Sequence, residues 1–392
     1  MNNRECKRNL SLYRFYAAFN EPLFWGPIII ISLQKLAFMP LPDIYYMESV
    51  VLCISVLLDI PSGALADIIG RKRTIIIGRI FLFGSAFFFA IMSNPLEAWI
   101  GNILWSIGFS MQSGADTALL YDTLKECGRE SEYKRKEGQA IGSRMLLIAF
   151  CSIATGLLAD IDLRLPLYIG LPFVLVPLVV SFFWKEPIRI ERYSVQKQFN
   201  VLKRAGVFIL NSVEVQWMLG FAALMTTTSK VWFFTYNPYF ELVGIGIFQY
   251  GIIFFLLNIV AWFSSHYAYK MENCAGERKV IIGMILCVGA PILMMGFVPI
   301  WPFAYLVLVQ NVVRGFMRPF VGGYINRHLG ADVRATVLSV QSSVSNLAAI
   351  LGLAGFGFFI AHFSLLNSLI ILGLASLSAG MLSYKFYKKR IA

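Results

Sequence analysis

The sequence predicts an all-α membrane protein with twelve transmembrane helices in two pseudo-symmetric six-helix bundles. Of its 392 residues, 58% are hydrophobic and 14% are charged, whereas about a quarter of the residues of a soluble domain are charged. The mean hydropathy is +0.68. This composition is typical of a polytopic membrane protein. The placement of basic residues and a repeated turn support the same fold class.

Twelve apolar segments are long enough to cross a bilayer, which takes about 20 helical residues. The longest polar connection follows the sixth segment, and we interpret it as a linker between two domains. The predicted domains are residues 1–185, the cytoplasmic linker 186–213 and residues 214–392. The predicted spans lie at about 12–36, 44–66, 74–92, 97–124, 138–159, 164–184, 214–240, 244–269, 280–298, 302–326, 335–361 and 364–384.

Basic residues alternate between the two sides of these spans. Of the 34 Lys and Arg residues, 27 fall in loops and tails on one side, and only Lys35 and Arg164 fall on the other. The positive-inside rule therefore predicts that both termini are cytoplasmic. We expect a multi-pass protein of the plasma membrane, specifically a bacterial inner membrane. Because topology explains the net charge of +12, we expect no nucleic-acid partner.

The turn between the second and third predicted spans carries an unusual set of residues. Gly70 suits a helix end that turns sharply. We expect Asp67 to pair with a cation of the turn or to cap a neighbouring helix. An ordinary positive-inside turn is the alternative. A degenerate copy, Gly276–Ile282, follows the second span of the other half. The marked positions of the first turn are Gly63, Asp67, Gly70, Arg71, Lys72 and Arg73.

These positions resemble the signature of the major facilitator superfamily, G-x-x-x-D-x-x-G-R-K/R-K/R. Residues 113–122 and 314–339 are similar to the fourth, tenth and eleventh spans of bacterial efflux-type members. The resemblance implies alternating access, with the turn locking the two halves at the cytoplasmic face. Two family motifs are missing: the fourth-span arginine and the fifth-span antiporter motif. Their absence weakens the specific expectation of drug/proton antiport.

Ionisable residues inside the first six spans are the candidates for proton coupling. A charge at the bilayer centre costs at least ~2.5–3.5 kcal/mol, so each needs a partner or a wet cavity. We expect an Asp116–Arg144 pair with Glu21 nearby at similar depth, and Asp59 is a further candidate. Breaking a contact between an acid and an arginine would favour protonation. A purely structural ion pair is the alternative.

The second half carries cations instead. Lys230, Arg314 and Arg318 lie inside predicted spans, and the two arginines share a helix face. With Glu21 and Asp116, they are the substrate-binding candidates. Arg318 lies near the cytoplasmic surface, where snorkelling is an equal alternative. Asn20–Pro22, Trp25–Pro27 and Tyr236–Tyr239 contain prolines that bend or break spans one and seven.

The expected function is secondary active transport of a small organic molecule by alternating access, as proton-driven efflux by antiport. The alternatives are import or facilitated diffusion of an anionic metabolite, lipid flipping, and membrane sensing without transport. The chain has no P-loop, zinc-protease helix or G-x-S-x-G motif. The six scattered cysteines indicate neither a metal site nor a disulfide framework. We expect no enzymatic activity and no cofactor or metal. The expected partners are the substrate, protons and the bilayer, with the chain a monomer.

Overall fold

The computed structural model describes residues 2–187, 206–328 and 331–390. All regular secondary structure of the described residues is helical. The helices are α1 (Asn3–Ala18), α2 (Ile29–Lys35), α3 (Leu41–Ile69), α4 (Arg71–Ile91), α5 (Pro95–Gln112), α6 (Ala115–Glu126), α7 (Tyr133–Ile161), α8 (Leu165–Phe182), α9 (Val213–Phe233), α10 (Tyr236–Leu242), α11 (Ile247–Ala275), α12 (Glu277–Phe297), α13 (Val307–His328), α14 (Ala331–His362) and α15 (Leu365–Arg390).

Helix starts follow ordinary capping chemistry. The Asn2 side chain accepts a hydrogen bond from the Glu5 backbone N–H at 2.8 Å, and the Glu5 carboxylate accepts one from the Asn2 N–H at 2.9 Å. This capping box starts α1 at Asn3, earlier than the predicted start of the first span. At α5, the Asn94 side chain accepts from the Glu97 N–H at 3.1 Å, with a proline in the first turn.

Eight helices of the described residues are long and apolar enough to cross a membrane. They correspond to predicted spans two, three, five, six, eight, nine, eleven and twelve. Spans one, four and seven are each divided between two helices, and span ten is α13 with its arginines. The apolar helices fit a multi-pass membrane protein. The count of twelve, the two-bundle layout and the cytoplasmic termini stay predictions.

The chain divides into two compact units. The first comprises Met1–Pro40, Val50–Tyr193 and Ile247–Phe255. The second comprises Leu41–Ser49, Ser194–Gly246 and Leu256–Ala392. The predicted boundaries near residues 185 and 214 stay a prediction, since much of the intervening stretch lies outside the described residues.

In the first unit, α4 and α5 approach each other closely. A Cβ on Gly108 would lie 2.7 Å from the Gly78 carbonyl oxygen, and one on Gly78 would lie 2.9 Å from that of Gly108. No larger residue fits at either position without moving a backbone, so the two helices are held together at this crossing.

A disulfide bond joins Cys6 in α1 to Cys127 at the end of α6, with their Cα atoms 6.3 Å apart. This bond was not expected from the cysteine spacing, because the two residues are 121 positions apart. Sequence spacing alone does not determine disulfide connectivity.

The second unit is packed around aromatic side chains at one end of α9. The Trp217 indole N–H donates to the backbone carbonyl of Ser383 at 3.0 Å. Its ring lies 4.6 Å from the Tyr387 ring and 5.3 Å from the Phe221 ring, centroid to centroid. These contacts tie α9 to α15, because a buried indole needs both apolar neighbours and a hydrogen-bond acceptor.

Candidate functional site

The turn of the family-like signature is built on Gly70. This residue ends α3 and precedes α4 with φ +110° and ψ 144°, a conformation that favours glycine. The exposed N–H groups of α4 are capped from a distant part of the chain. The Glu186 carboxylate accepts from the Arg71 N–H and the Lys72 N–H, each at 2.8 Å.

The cations of the turn contact two other helices of the same unit. The Arg71 guanidinium pairs with the Asp122 carboxylate and donates to the Ala118 carbonyl, both in α6. The Lys72 ammonium donates to the carbonyls of Phe182 and Trp184 at 2.7 Å each. The turn therefore fastens α4 to α6 and to the end of α8.

The other signature residues differ in exposure. Arg73 and Gly63 are exposed and Asp67 is half-buried. The partner expected for Asp67, a cation of its own turn or a neighbouring helix end, stays a prediction. Arg71 instead has Asp122 as its carboxylate partner.

The chain just after α8 is held against α1. The Asn9 side chain donates to the Lys185 carbonyl at 2.8 Å and accepts from the Lys185 N–H at 3.0 Å. The Lys185 ammonium donates to Glu5 at 2.5 Å, and this bond holds the pKa of the Glu5 carboxyl below its ordinary value. The buried Trp184 ring lies 4.6 Å from the Tyr16 ring. Lys185 is therefore held against α1, and the next residue, Glu186, caps the start of α4.

Two interrupted helices meet deeper in the first unit. Span one is non-helical between Ala18 and Ile29, as its prolines predict. Span four is interrupted before α6 by Gly114, whose φ is +79°. The Asn20 amide donates to Asp116 at 3.4 Å and accepts from the Gln112 amide at 2.5 Å. Asn20 thus links the break in span one to both sides of the break in span four.

Arg79 of α4 completes this polar cluster, and sequence reasoning did not select it. Only 1% of the residue is exposed. Its Nη1 donates to the Asn20 carbonyl at 3.1 Å, its Nε donates to the Tyr16 hydroxyl at 3.3 Å, and its guanidinium lies 4.6 Å from the Tyr16 ring centroid. Within the described chain, its Nη2 has no hydrogen-bond partner. An arginine in the middle of an apolar helix was the available signal.

Arg144 pairs with Glu21 rather than with Asp116. Its Nη1 lies 3.4 Å from the Glu21 carboxylate, with the side chains 24% and 44% exposed. The expected Asp116–Arg144 pair is therefore wrong as a direct contact. Asp116 instead accepts from Asn20 and, at 2.7 Å, from the Thr117 N–H. The break in span one places Asn20 and Glu21 on different partners, which a continuous helix would not predict.

Asp59 lies apart from this cluster. The residue is exposed, and its backbone carbonyl accepts from the Ser62 hydroxyl at 3.0 Å. The structure therefore brings Glu21, Asp116 and Arg144 into one region of the first unit, through Asn20, and does not place Asp59 among their hydrogen bonds.

The second unit holds the predicted cations in a different setting. Arg314 and Arg318 are exposed, and Lys230 is half-buried. Arg314 donates to the Asn311 side chain at 3.3 Å. Glu48 lies near enough to Lys230 to interact with it electrostatically. Glu48 comes from span two, so inspection of spans seven and ten could not reveal it.

A buried chain of polar groups lies beside Arg314. The Tyr236 hydroxyl bonds to the Gln310 side-chain oxygen, which also accepts from the Asn311 amide at 3.2 Å. Tyr236 is the first residue of α10, directly after the break in span seven. The three side chains are at most 3% exposed. Both units thus place a hydrogen-bonded cluster at an interrupted helix, a feature of helices that line transport sites.

No family model matches the chain. An uncharacterized MFS-type transporter of Bacillus subtilis (strain 168), YxaM, is 23% identical over 329 residues, which cover 78% of each protein. A mutant of the nucleoside transporter NupG has a TM-score of 0.80 at 13% identity, covering 98% of this chain and 100% of that one.

Two further solved structures share the architecture. A bacterial homologue of the human lysosomal transporter Spinster, inward-facing and unoccupied, has a TM-score of 0.76 at 13% identity and covers 99% of each chain. A D-xylose–proton symporter has a TM-score of 0.71 at 13% identity and covers 96% of each chain.

The fold and the buried charges define a multi-pass helical membrane protein with hydrogen-bonded clusters at interrupted helices. With the similarities above, the resemblance to the major facilitator superfamily is confirmed, and the chain has the fold of that superfamily.

Proposed function

We propose that this protein is a secondary active transporter that moves a small organic molecule by alternating access, with proton entry driving export. Its place is the bacterial plasma membrane, with both termini cytoplasmic. The observation that carries the proposal is the cluster around Asn20. It places Glu21 and Asp116 at breaks in two helices, with Arg79 bonded to Asn20 and Arg144 paired with Glu21. Carboxylates beside arginines at such breaks suit a site whose protonation changes with conformation.

The proposed mechanism depends on two contacts of the non-helical segment between α1 and α2. Glu21 contacts Arg144 on α7, and the adjacent Asn20 contacts Asp116 on α6. A movement of this segment changes the surroundings of both carboxylates together. Separation of Glu21 from Arg144 would leave that carboxylate without its ion-pair partner, and substrate release and proton binding would then alternate.

Flux measurements in proteoliposomes test this proposal. The purified protein is reconstituted with a pH-sensitive dye inside, and candidate substrates, including nucleosides, D-xylose and organic anions, are applied as gradients. We expect one class to cause proton movement that depends on pH. Glu21→Gln, Asp116→Asn and Arg144→Met should each change this pH dependence, whereas Glu130→Gln, at an exposed residue between α6 and α7, should not. If all three variants keep the wild-type profile, the cluster is structural and Asp59 is the next candidate.

Import of an anionic metabolite is the second candidate, and the cations of the second unit favour it. Lys230, Arg314 and Arg318 present positive charge there. One structural neighbour is named a symporter, which moves substrate and proton in the same direction. Vesicles of both orientations separate the candidates: export requires substrate and proton to move in opposite directions, and symport requires the same direction. Ligand binding without flux would indicate a sensor, and movement of labelled lipid would indicate a flippase.

A further inference from the structure

A cavity of about 480 Å³ lies between α1 and α7 in the first unit. Its wall on α1 is formed by Ser11, Arg14, Phe15 and Ala18, which recur on one helix face, with Phe19 following. Ser143 and Leu147, one turn apart, form the wall on α7. The volume is within the usual range of about 300–1,000 Å³ for small-molecule sites.

The lining is mostly apolar. Phe15, Phe19 and Leu147 are its large apolar side chains, and Phe15 is 59% exposed. The small side chains of Ser11, Ala18 and Ser143 leave the space that the cavity occupies.

The charged residues around this cavity differ in whether they already interact with another residue. Arg14 is exposed in its wall and, within the described chain, has no ion-pair partner. Arg144 follows Ser143 and already pairs with Glu21. Glu137, six residues before Ser143 on α7, interacts electrostatically with Tyr13. One arginine therefore stays available to an anion at an apolar surface.

We propose that this cavity binds a small amphipathic organic anion, whose apolar part packs against Phe15, Phe19 and Leu147 while its anionic group contacts Arg14. The inference rests on the proposed transport function and names the substrate class. An anion there lies beside Ser143, next to the Glu21–Arg144 pair.

Three probes with the same naphthalene body test the charge preference: 2-naphthoate, protonated 2-naphthylmethylamine and 2-naphthylmethanol. Binding to the full-length purified protein is measured by thermal stabilisation and calorimetry. We expect 2-naphthoate to bind at least tenfold more tightly than the other two. Equal affinities for the three probes would overturn the proposal.

Variants locate the site. Arg14→Gln should weaken 2-naphthoate binding by about tenfold, as expected from loss of one charged hydrogen bond, and leave 2-naphthylmethanol unchanged. Arg14→Lys should retain most of the affinity and shows whether loss of charge or misfolding is responsible. Leu147→Trp should weaken all three probes by filling the cavity. Arg8→Gln, at an exposed position of the same helix, is the matched control and should have no effect.

Two results would reject a free organic anion as the occupant. Unchanged 2-naphthoate affinity in Arg14→Gln would do so, as would loss of binding in phosphatidylglycerol nanodiscs but not in phosphatidylcholine nanodiscs, since lipid headgroups would then hold Arg14. The binding assay requires no transport. Binding at Arg14 without proton-coupled flux therefore rejects the proposed function alone, and flux that ignores Arg14→Gln rejects this inference alone.

Discussion

The turns after the second span of each half share a backbone conformation but differ in chemistry. Gly70 has φ +110° and ψ 144°, and Gly276 has φ +76° and ψ 152°. Each glycine separates a long helix from the next one, α3 from α4 and α11 from α12. The repeat in the sequence is thus a repeat of the turn itself, which needs a residue without a side chain.

The ion pairs that follow these glycines have opposite polarity. Arg71 pairs with Asp122 on α6, whereas Glu277 lies 3.2 Å from Arg327 on α13. Arg327 also lies 2.8 Å from Glu272, which precedes the second turn. In both units an ion pair joins the turn to the C-terminal part of another helix, α6 in the first unit and α13 in the second. The position of the ion pair is therefore repeated, while the sign of its charges is not.

Burial distinguishes the two pairs further. The Arg71 and Asp122 side chains are 20% and 18% exposed, and the Arg327 side chain is 49% exposed. Solvent screens a half-exposed pair strongly, so exposed ion pairs contribute about 0–1 kcal/mol. We expect the first turn to matter more for stability, and the following variants measure this difference.

Replacing Arg71 should have the largest effect. Arg71→Ala removes the pair with Asp122 and the bond to the Ala118 carbonyl, and should lower the free energy of unfolding by about 2 kcal/mol. It and Asp67→Asn should abolish transport while the protein still reaches the membrane. Thermal denaturation and proteoliposome flux check these outcomes. Arg8→Ala, at an exposed position of α1 outside the turn, is the control. Near-normal flux in Arg71→Ala and Asp67→Asn would reduce the signature to a topological signal.

Reversing the first pair should recover part of that loss. Arg71→Asp and Asp122→Arg should each destabilise the protein, and the double variant should regain about 1 kcal/mol relative to the sum. Glu186→Gln is used as the common background, because the Glu186 carboxylate lies at the Arg71 N–H and would repel an acid there. A double variant as unstable as the sum would show that polarity matters in this turn.

Removing Arg327 should have a smaller effect. Arg327→Ala leaves Glu272 and Glu277 without their arginine, but the exposure of Arg327 limits the loss to about 0.5 kcal/mol. The same denaturation assay measures it, and Lys270→Ala, also exposed on α11, is the control. A loss equal to that of Arg71→Ala would contradict the argument from burial.

The cysteines also distinguish the units. Cys6 and Cys127 of the first unit are bonded, while Cys274 and Cys287 of the second are free, as are Cys53 and Cys151. Thiol titration of denatured, unreduced protein should therefore give four thiols, and Cys6→Ser should raise this to five. Six thiols in the unreduced wild type would show that the bond is absent.

Local sequence features predicted the turn at Gly70 and the break at the prolines of span one. The break at Gly114 was not predicted, since a lone glycine is common in membrane helices. Partners were harder to predict than positions. Asp122 and Glu186 lie far from Arg71 in sequence, and only packing brings them together. Arg144 was given the wrong acid because depth estimates assumed continuous helices.

The interruption at Gly114 makes α6 a short separate helix that can pivot about this glycine. Gly78 and Gly108 hold α5 against α4, so the part of span four before the break is anchored. Asp122 lies eight residues beyond Gly114 in the sequence, or about 12 Å along α6. At that radius, a pivot of roughly 10° at the glycine displaces Asp122 by about 2 Å, enough to separate it from Arg71. Because the disulfide joins Cys127, at the far end of α6, to Cys6, α1 would move together with α6.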